Sequence, residues 1–121
     1  MKQKVKFFVV VCALLLGVSG IAWADPMPEV QKQIDHLIAH LRDSKLTFIR
    51  NGSETDSEAA AKHVQEKYEH FKSEVVTARD FIDKAASRSL LTGKPYLVKF
   101  ADGSTKEVSV WLQEELAKQP N

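Results

Sequence analysis

The chain has 121 residues, with 17 lysines and arginines against 16 aspartates and glutamates, four histidines and one cysteine. That length suits one domain and excludes a multidomain enzyme. A formal charge of +1, with no basic stripe interleaved with aromatics, argues against nucleic acid as a partner.

Lys2, Lys4 and Lys6 form a positive start, and Phe7 to Ile21 is apolar apart from Ser19 and two glycines. Ala22-Trp23-Ala24 then places small residues where a signal peptidase reads them, and Asp25-Pro26 follows. These parts stand in the order of a cleavable export signal, residues 1–24. The apolar run of roughly 15 residues is short of the roughly 20 that span a bilayer, which disfavours an uncleaved anchor. Cys12 sits inside this run after Val9-Val10-Val11, without the small residue that a lipidated cysteine needs before it. Cleavage after Ala24 leaves a single mature domain, residues 25–121, of 97 residues. It carries no thiol, and its 14 basic and 16 acidic side chains give a charge of −2. No disulfide can staple it, so the core alone must hold it. No second apolar stretch reaches membrane-spanning length, so no membrane partner is expected after cleavage. The expected location is periplasmic or secreted.

Along the mature chain, Pro26 and Pro28 extend the start, and a helix is predicted from about Glu29 to Asp43. Val30, Ile34, Leu37, Ile38 and Leu41 repeat at helical spacing there. Leu46 to Ile49 is a short β-favouring run, closed by Arg50-Asn51-Gly52, where Asn-Gly signals a turn. A second helix begins at about Ser57, read as its N-cap, with Ala60, Val64, Tyr68, Phe71 and Val75 as its apolar stripe. A third, shorter helix covers about Thr77 to Ser87 and turns Phe81, Ile82 and Ala85 inward. Ser87 to Gly93 reads as a loop, Tyr96 to Phe100 as a strand, and Asp102-Gly103 as a turn. Thr105 to Val108 is the return strand, and Ser109 caps a last helix that buries Trp111, Leu112 and Leu116. The expected fold is a helix-dominated α+β domain of about four helices with a small antiparallel sheet or hairpin. Whether Thr47 to Ile49 pairs with Tyr96 to Phe100 stays open at this level.

His36 and His40 lie four apart on the first helix, a spacing that can hold a metal only with a third ligand. Both fall off the apolar stripe and read as solvated surface, so no metal or cofactor is expected. His63, Glu66, Lys67 and His70 make a continuous polar stripe on the second helix. A histidine near a carboxylate is a possible acid–base pair, while Glu and Lys at this spacing are also ordinary helix-surface electrostatics. Ser87 and Ser89 lack a nucleophile elbow, and helix termination accounts for them. Gly93-Lys94-Pro95 lacks the rest of a phosphate loop. Asn51-Gly52-Ser53 matches a glycosylation sequon, but turn formation explains the Asn-Gly pair.

Several segments carry a family resemblance: Phe48-Ile49-Arg50-Asn51-Gly52, then Ala60, His63 and Lys67, then Ala78 to Ser87, then Thr92-Gly93-Lys94-Pro95-Tyr96-Leu97-Val98. In this order they resemble the YfeK-like family of small exported bacterial proteins, a domain of unknown function. The resemblance implies a bacterial envelope protein, periplasmic in a diderm cell, and brings no catalytic assignment. Two departures stand out: relatives often carry cysteine near the Arg-Asn-Gly segment, and tend to keep a small hydroxylated residue where Leu90 stands. The expected function is a noncatalytic binding or protein-interaction module, with Arg50, Asn51, His63, Lys67, Lys94 and Tyr96 forming one binding patch. Its partner would be another envelope protein or a small ligand. The alternative is a small metal-independent hydrolase or lyase that uses His63 with Glu66.

Overall fold

The computed structural model describes residues 26–119. The expected export signal, its cleavage site and Cys12 lie outside the described residues. In chain order the elements are α1 (Pro28–Asp43), β1 (Thr47–Arg50), β2 (Ser53–Thr55), α2 (Ser57–Phe71), α3 (Ala78–Ala85), β3 (Leu97–Lys99), β4 (Thr105–Glu107) and α4 (Val108–Ala117). A 3-10 turn at Lys72–Glu74 follows α2. The molecule is a small helix-dominated α+β domain, as its periodicities predict. Among the described residues no helix is long and apolar enough to cross a membrane.

Helix α1 starts with Pro28 at its first position, where the missing N–H is no loss. It buries Ile34, Leu37, Ile38 and Leu41. It packs most extensively on α2, whose inward face is Ala60, Ala61, Val64 and Tyr68. Asp56, not Ser57, is the N-cap of α2: its carboxylate accepts from Ala59 N at 2.8 Å. Ser57 is already helical, and its hydroxyl donates instead to the Arg42 carbonyl at 2.8 Å. Val75 is buried, but it lies beyond α2. Helix α3 opens with a capping box, Thr77 and Asp80 each receiving the other's backbone N–H. It ends at Ala85 and not at Ser87, because the Ser87 hydroxyl turns back to the Ile82 carbonyl at 2.8 Å.

The sheet is four-stranded and wholly antiparallel, in the order β2-β1-β3-β4. It answers the open pairing question: Phe48 stands opposite Val98 and Ile49 opposite Leu97. The buried pair Phe48 and Val98 joins the helical core. Strand β2, absent from the sequence reading, exists because Asn51 (φ +52) and Gly52 (φ +80) make a two-residue left-handed turn. Positive φ at both central residues matches the right-handed twist of a hairpin, and Asn-Gly is the pair that tolerates it. Two further expectations are corrected at the C-terminal end. Glu107, not Ser109, precedes α4, because β4 runs straight into the helix. Trp111 is half-buried, against Phe48 at 5.7 Å and His40 at 4.5 Å between ring centroids.

Candidate functional site

The β1–β2 hairpin leans over the first two turns of α2 and leaves a cavity of about 140 Å³. Phe48, Ile49, Val64 and Val108 supply apolar walls, while Arg50, His63 and Tyr96 stand among its polar lining. Ala59, one turn before His63 on α2, also lines it, and its small side chain leaves the space open. A shallower dish of about 510 Å³ near Lys45–Thr47 and Glu54–Glu58 lies open to solvent. There Glu54 is paired with Lys99 and Asp56 is spent on the helix cap, so two of its carboxylates are already engaged.

Three elements bring the polar groups of the cavity together. Arg50 ends β1, His63 lies on α2, and Tyr96 precedes β3. Tyr96 is held in place because its N–H donates to Ser87 O and its C=O accepts from Val108 N. Arg50 Nη1 lies 3.2 Å from His63 Nδ1 and 3.1 Å from Nε2. At nearly equal range from both nitrogens it cannot lie along either in-plane lone pair, so the guanidinium sits over the imidazole face. The Tyr96 hydroxyl is 3.2 Å from His63 Nε2, with the rings edge-on. Behind them, Lys67 Nζ donates to the Tyr96 oxygen at 3.0 Å and to the Arg88 carbonyl at 2.7 Å.

Lys67 can only donate, so the Tyr96 oxygen accepts from it. The Tyr96 hydroxyl suits either tautomer of a neutral imidazole, donating to Nε2 or accepting from Nε2–H. Burial, followed by the charges of Arg50 and Lys67, lowers the His63 pKa and favours this neutral form. Burial, then Arg50 and Arg88, lowers that of Lys67. Burial raises that of Tyr96, against a smaller opposing pull from Arg50. Among the described residues, neither Arg50 nor Lys67 forms an ion pair with a carboxylate.

Four of the expected residues therefore converge: Arg50, His63, Lys67 and Tyr96. Asn51 lies beside them but is occupied internally. Its amide donates to Ser89 Oγ at 3.1 Å and accepts from Thr92 Oγ1 at 2.6 Å, tying the hairpin turn to the 87–96 loop. The Lys94 side chain is exposed and joins no hydrogen bond or ion pair; its backbone closes the loop through Ser89 N and Thr92 Oγ1. Glu66 is exposed and makes no hydrogen bond to His63, acting on it only through its charge. His36 Nε2–H donates to the Glu115 carboxylate at 2.8 Å on the α1–α4 side. Among the described residues no three His, Cys, Asp or Glu side chains could share a metal ion.

Sequence reasoning gave Ser89 to helix termination and passed over Arg88, but the helix ends at Ala85 and both belong to the loop that sets this geometry. Ser89 accepts from Asn51 and from the N–H groups of Leu91 and Thr92, and Arg88 offers its carbonyl to Lys67. The signal was present in the run of polar residues around Leu90, but only the fold shows that it faces the Asn-Gly turn.

A model for a family of unknown function, DUF5329, matches residues 28–120, which takes in every residue of the site. The chain belongs to this family. It is 39% identical over 92 residues to the "Uncharacterized protein YfeK" of Salmonella typhimurium strain LT2, covering 75% of each chain. No solved structure matches it.

Proposed function

We propose that this protein is a noncatalytic recognition module of the bacterial envelope, exported by its N-terminal segment and released after Ala24. The observation that carries the reading is the convergence of Arg50, His63 and Tyr96, from β1, α2 and the segment before β3, at one small cavity. Ligand and active-site pockets run from roughly 300 Å³ upward. About 140 Å³ admits one chemical group of a partner or ligand, without room for substrate, water and catalytic groups together. The acid–base pair that the hydrolase alternative needs is not formed, since Tyr96 and Arg50, not Glu66, are the neighbours of His63. Short loops on a rigid scaffold suit recognition.

Arg50→Ala tests this reading. Arg50 is exposed and its guanidinium holds up no backbone group, so the melting temperature stays within a few degrees while the native partner is no longer retained. The comparison is co-purification from envelope extracts of the producing cell, wild type against variant, with the same tag. A variant that melts far lower, or that retains the same partners, contradicts the proposal.

A further inference from the structure

Resting on that reading, we infer that the site takes a carboxylate attached to a compact apolar group of about six heavy atoms. The size follows from the cavity: a space of about 150 Å³ holds one benzene, and this one is about 140 Å³, with Ser53 and Thr55 at its lining beside the apolar residues. Phe48, Ile49, Val64 and Val108 give it apolar walls.

The charge follows from what surrounds its polar lining. Lys67 is only 9% exposed, and its ammonium has two neutral oxygens as partners and no counter-ion among the described residues. Arg50 and Arg88 act on it as further positive charges. A buried cation normally sits with an anion or gives up its charge. Here an anion arriving from solvent completes the arrangement.

The head group follows from the donors. Arg50 engages His63 through Nη1 alone, so Nε and Nη2 are free to form the planar fork that matches a carboxylate. His63 lines the cavity beside it, and in the tautomer whose Nε2 accepts from the Tyr96 hydroxyl its Nδ1–H is a further donor. Lys67 acts at one remove: it holds the Tyr96 hydroxyl, which lies 3.2 Å from His63 Nε2, and it adds to the local positive field. The N-terminal ends of α2 and α4 border the cavity, but the N–H groups of Ala59, Ala60 and Val108 are already spent on Asp56 and Tyr96, which separates the site from the usual phosphate cradle.

A carboxylate of this kind can be a free small acid or the terminus of a polypeptide ending in an apolar residue, and one titration series separates them. The protein, purified after expression of the full chain, is followed by amide and imidazole NMR shifts. The probes are 3-phenylpropanoate, its neutral amide, inorganic phosphate, and a short peptide ending in phenylalanine with its carboxyl free or amidated. The expected result is saturable shifts at His63, Ile49 and Val108, with the amide binding at least ten-fold more weakly than the acid. Arg50→Gln abolishes that preference. Equal affinity of acid and neutral amide overturns the inference, as do tighter binding of phosphate or shifts that map elsewhere. A free-carboxyl peptide ten-fold tighter than the small acid supports a chain terminus as occupant; equal affinity supports a free acid. If no carboxylate probe binds while Arg50→Ala still loses its envelope partner, the ligand class is refuted and the recognition module stands. If Arg50→Ala also retains that partner, both are refuted.

Discussion

Replacing Tyr96 by phenylalanine isolates the bond on which the site geometry depends. The ring is 6% exposed and keeps its shape, so no cavity opens and the change is purely polar. It deletes the acceptor 3.0 Å from Lys67 Nζ, the same hydroxyl that lies 3.2 Å from His63 Nε2. Lys67 is left with the Arg88 carbonyl alone. Leaving a buried charged donor short of a partner costs about 1–3 kcal/mol. For a domain of this size each kcal/mol moves the melting temperature by about 4–8 °C, so the fall is roughly 4–24 °C. Lys67→Met completes a double-mutant cycle. Because the ammonium has no anionic partner, its loss should cost less than the roughly 3–5 kcal/mol of a broken buried ion pair. The double variant should then be more stable than the sum of the single losses predicts, by about 0.5–3 kcal/mol. Urea unfolding with unchanged slope measures all four proteins. A Tyr96→Phe loss below about 0.5 kcal/mol, a scale at which one hydrogen bond is negligible, refutes the reasoning. Strict additivity does so equally.

Phe81 is fully buried, and Phe81→Ala should cost roughly 3–5 kcal/mol by urea unfolding; a loss below 1 kcal/mol would place it outside the core. Asn51→Ala removes both links to the 87–96 loop and a residue suited to left-handed backbone, so a loss of about 1–3 kcal/mol and faster amide exchange at Leu91 and Thr92 are expected. The folded-state pKa of His63 lies below 6.5, so the unfolded chain binds the proton more readily. Its contribution to stability is complete above that pH and declines as pH falls through 6.5 toward the folded value. His63→Gln should flatten that part of the stability–pH curve. Intact mass of the exported protein should begin at Asp25; a full-length chain in the membrane fraction would overturn the processing expectation.

The first three helices were legible because each has a one-sided apolar pattern, which α4, burying only Val108 and Leu112, lacks. Ile34, Leu37, Ile38 and Leu41 are all buried, and so are Phe81, Ile82 and Ala85. Their ends were less so, since capping depends on which of two adjacent polar residues turns back. At Asp56-Ser57 the serine hydroxyl is drawn away to Arg42, a long-range contact that no local pattern encodes. Strand β2 was invisible for a different reason. Ser53-Glu54-Thr55 has no buried residue and therefore no hydrophobic alternation; it is a strand only because the Asn-Gly turn folds it onto β1. The cavity could not be foreseen, since it depends on Ala59 being small and on the hairpin leaning toward it. Arg50, His63, Lys67 and Tyr96 could be named in advance, but Asn51 stood out equally and proved to be a tie between loops.

What separates site from scaffold is how each treats positive charge. Along the sheet and α4, Lys99 is paired with Glu54 and Lys106 with Glu114. These pairs are exposed and contribute at most about 1 kcal/mol each, so leaving an exposed lysine such as Lys94 unpaired costs the fold little. Lys67 is a different case, buried and facing two arginines without a carboxylate. A purely structural account covers part of it, because the ammonium fastens the Arg88 carbonyl and so closes the base of the 87–96 loop. A neutral donor could do that without importing a charge. Nor does the account reach Arg50, which fastens no backbone and crowds a histidine already kept neutral. The fold thus accumulates repulsion at one cavity while neutralising selected charges elsewhere, an arrangement that gains a physical reason once an anion is part of the assembly.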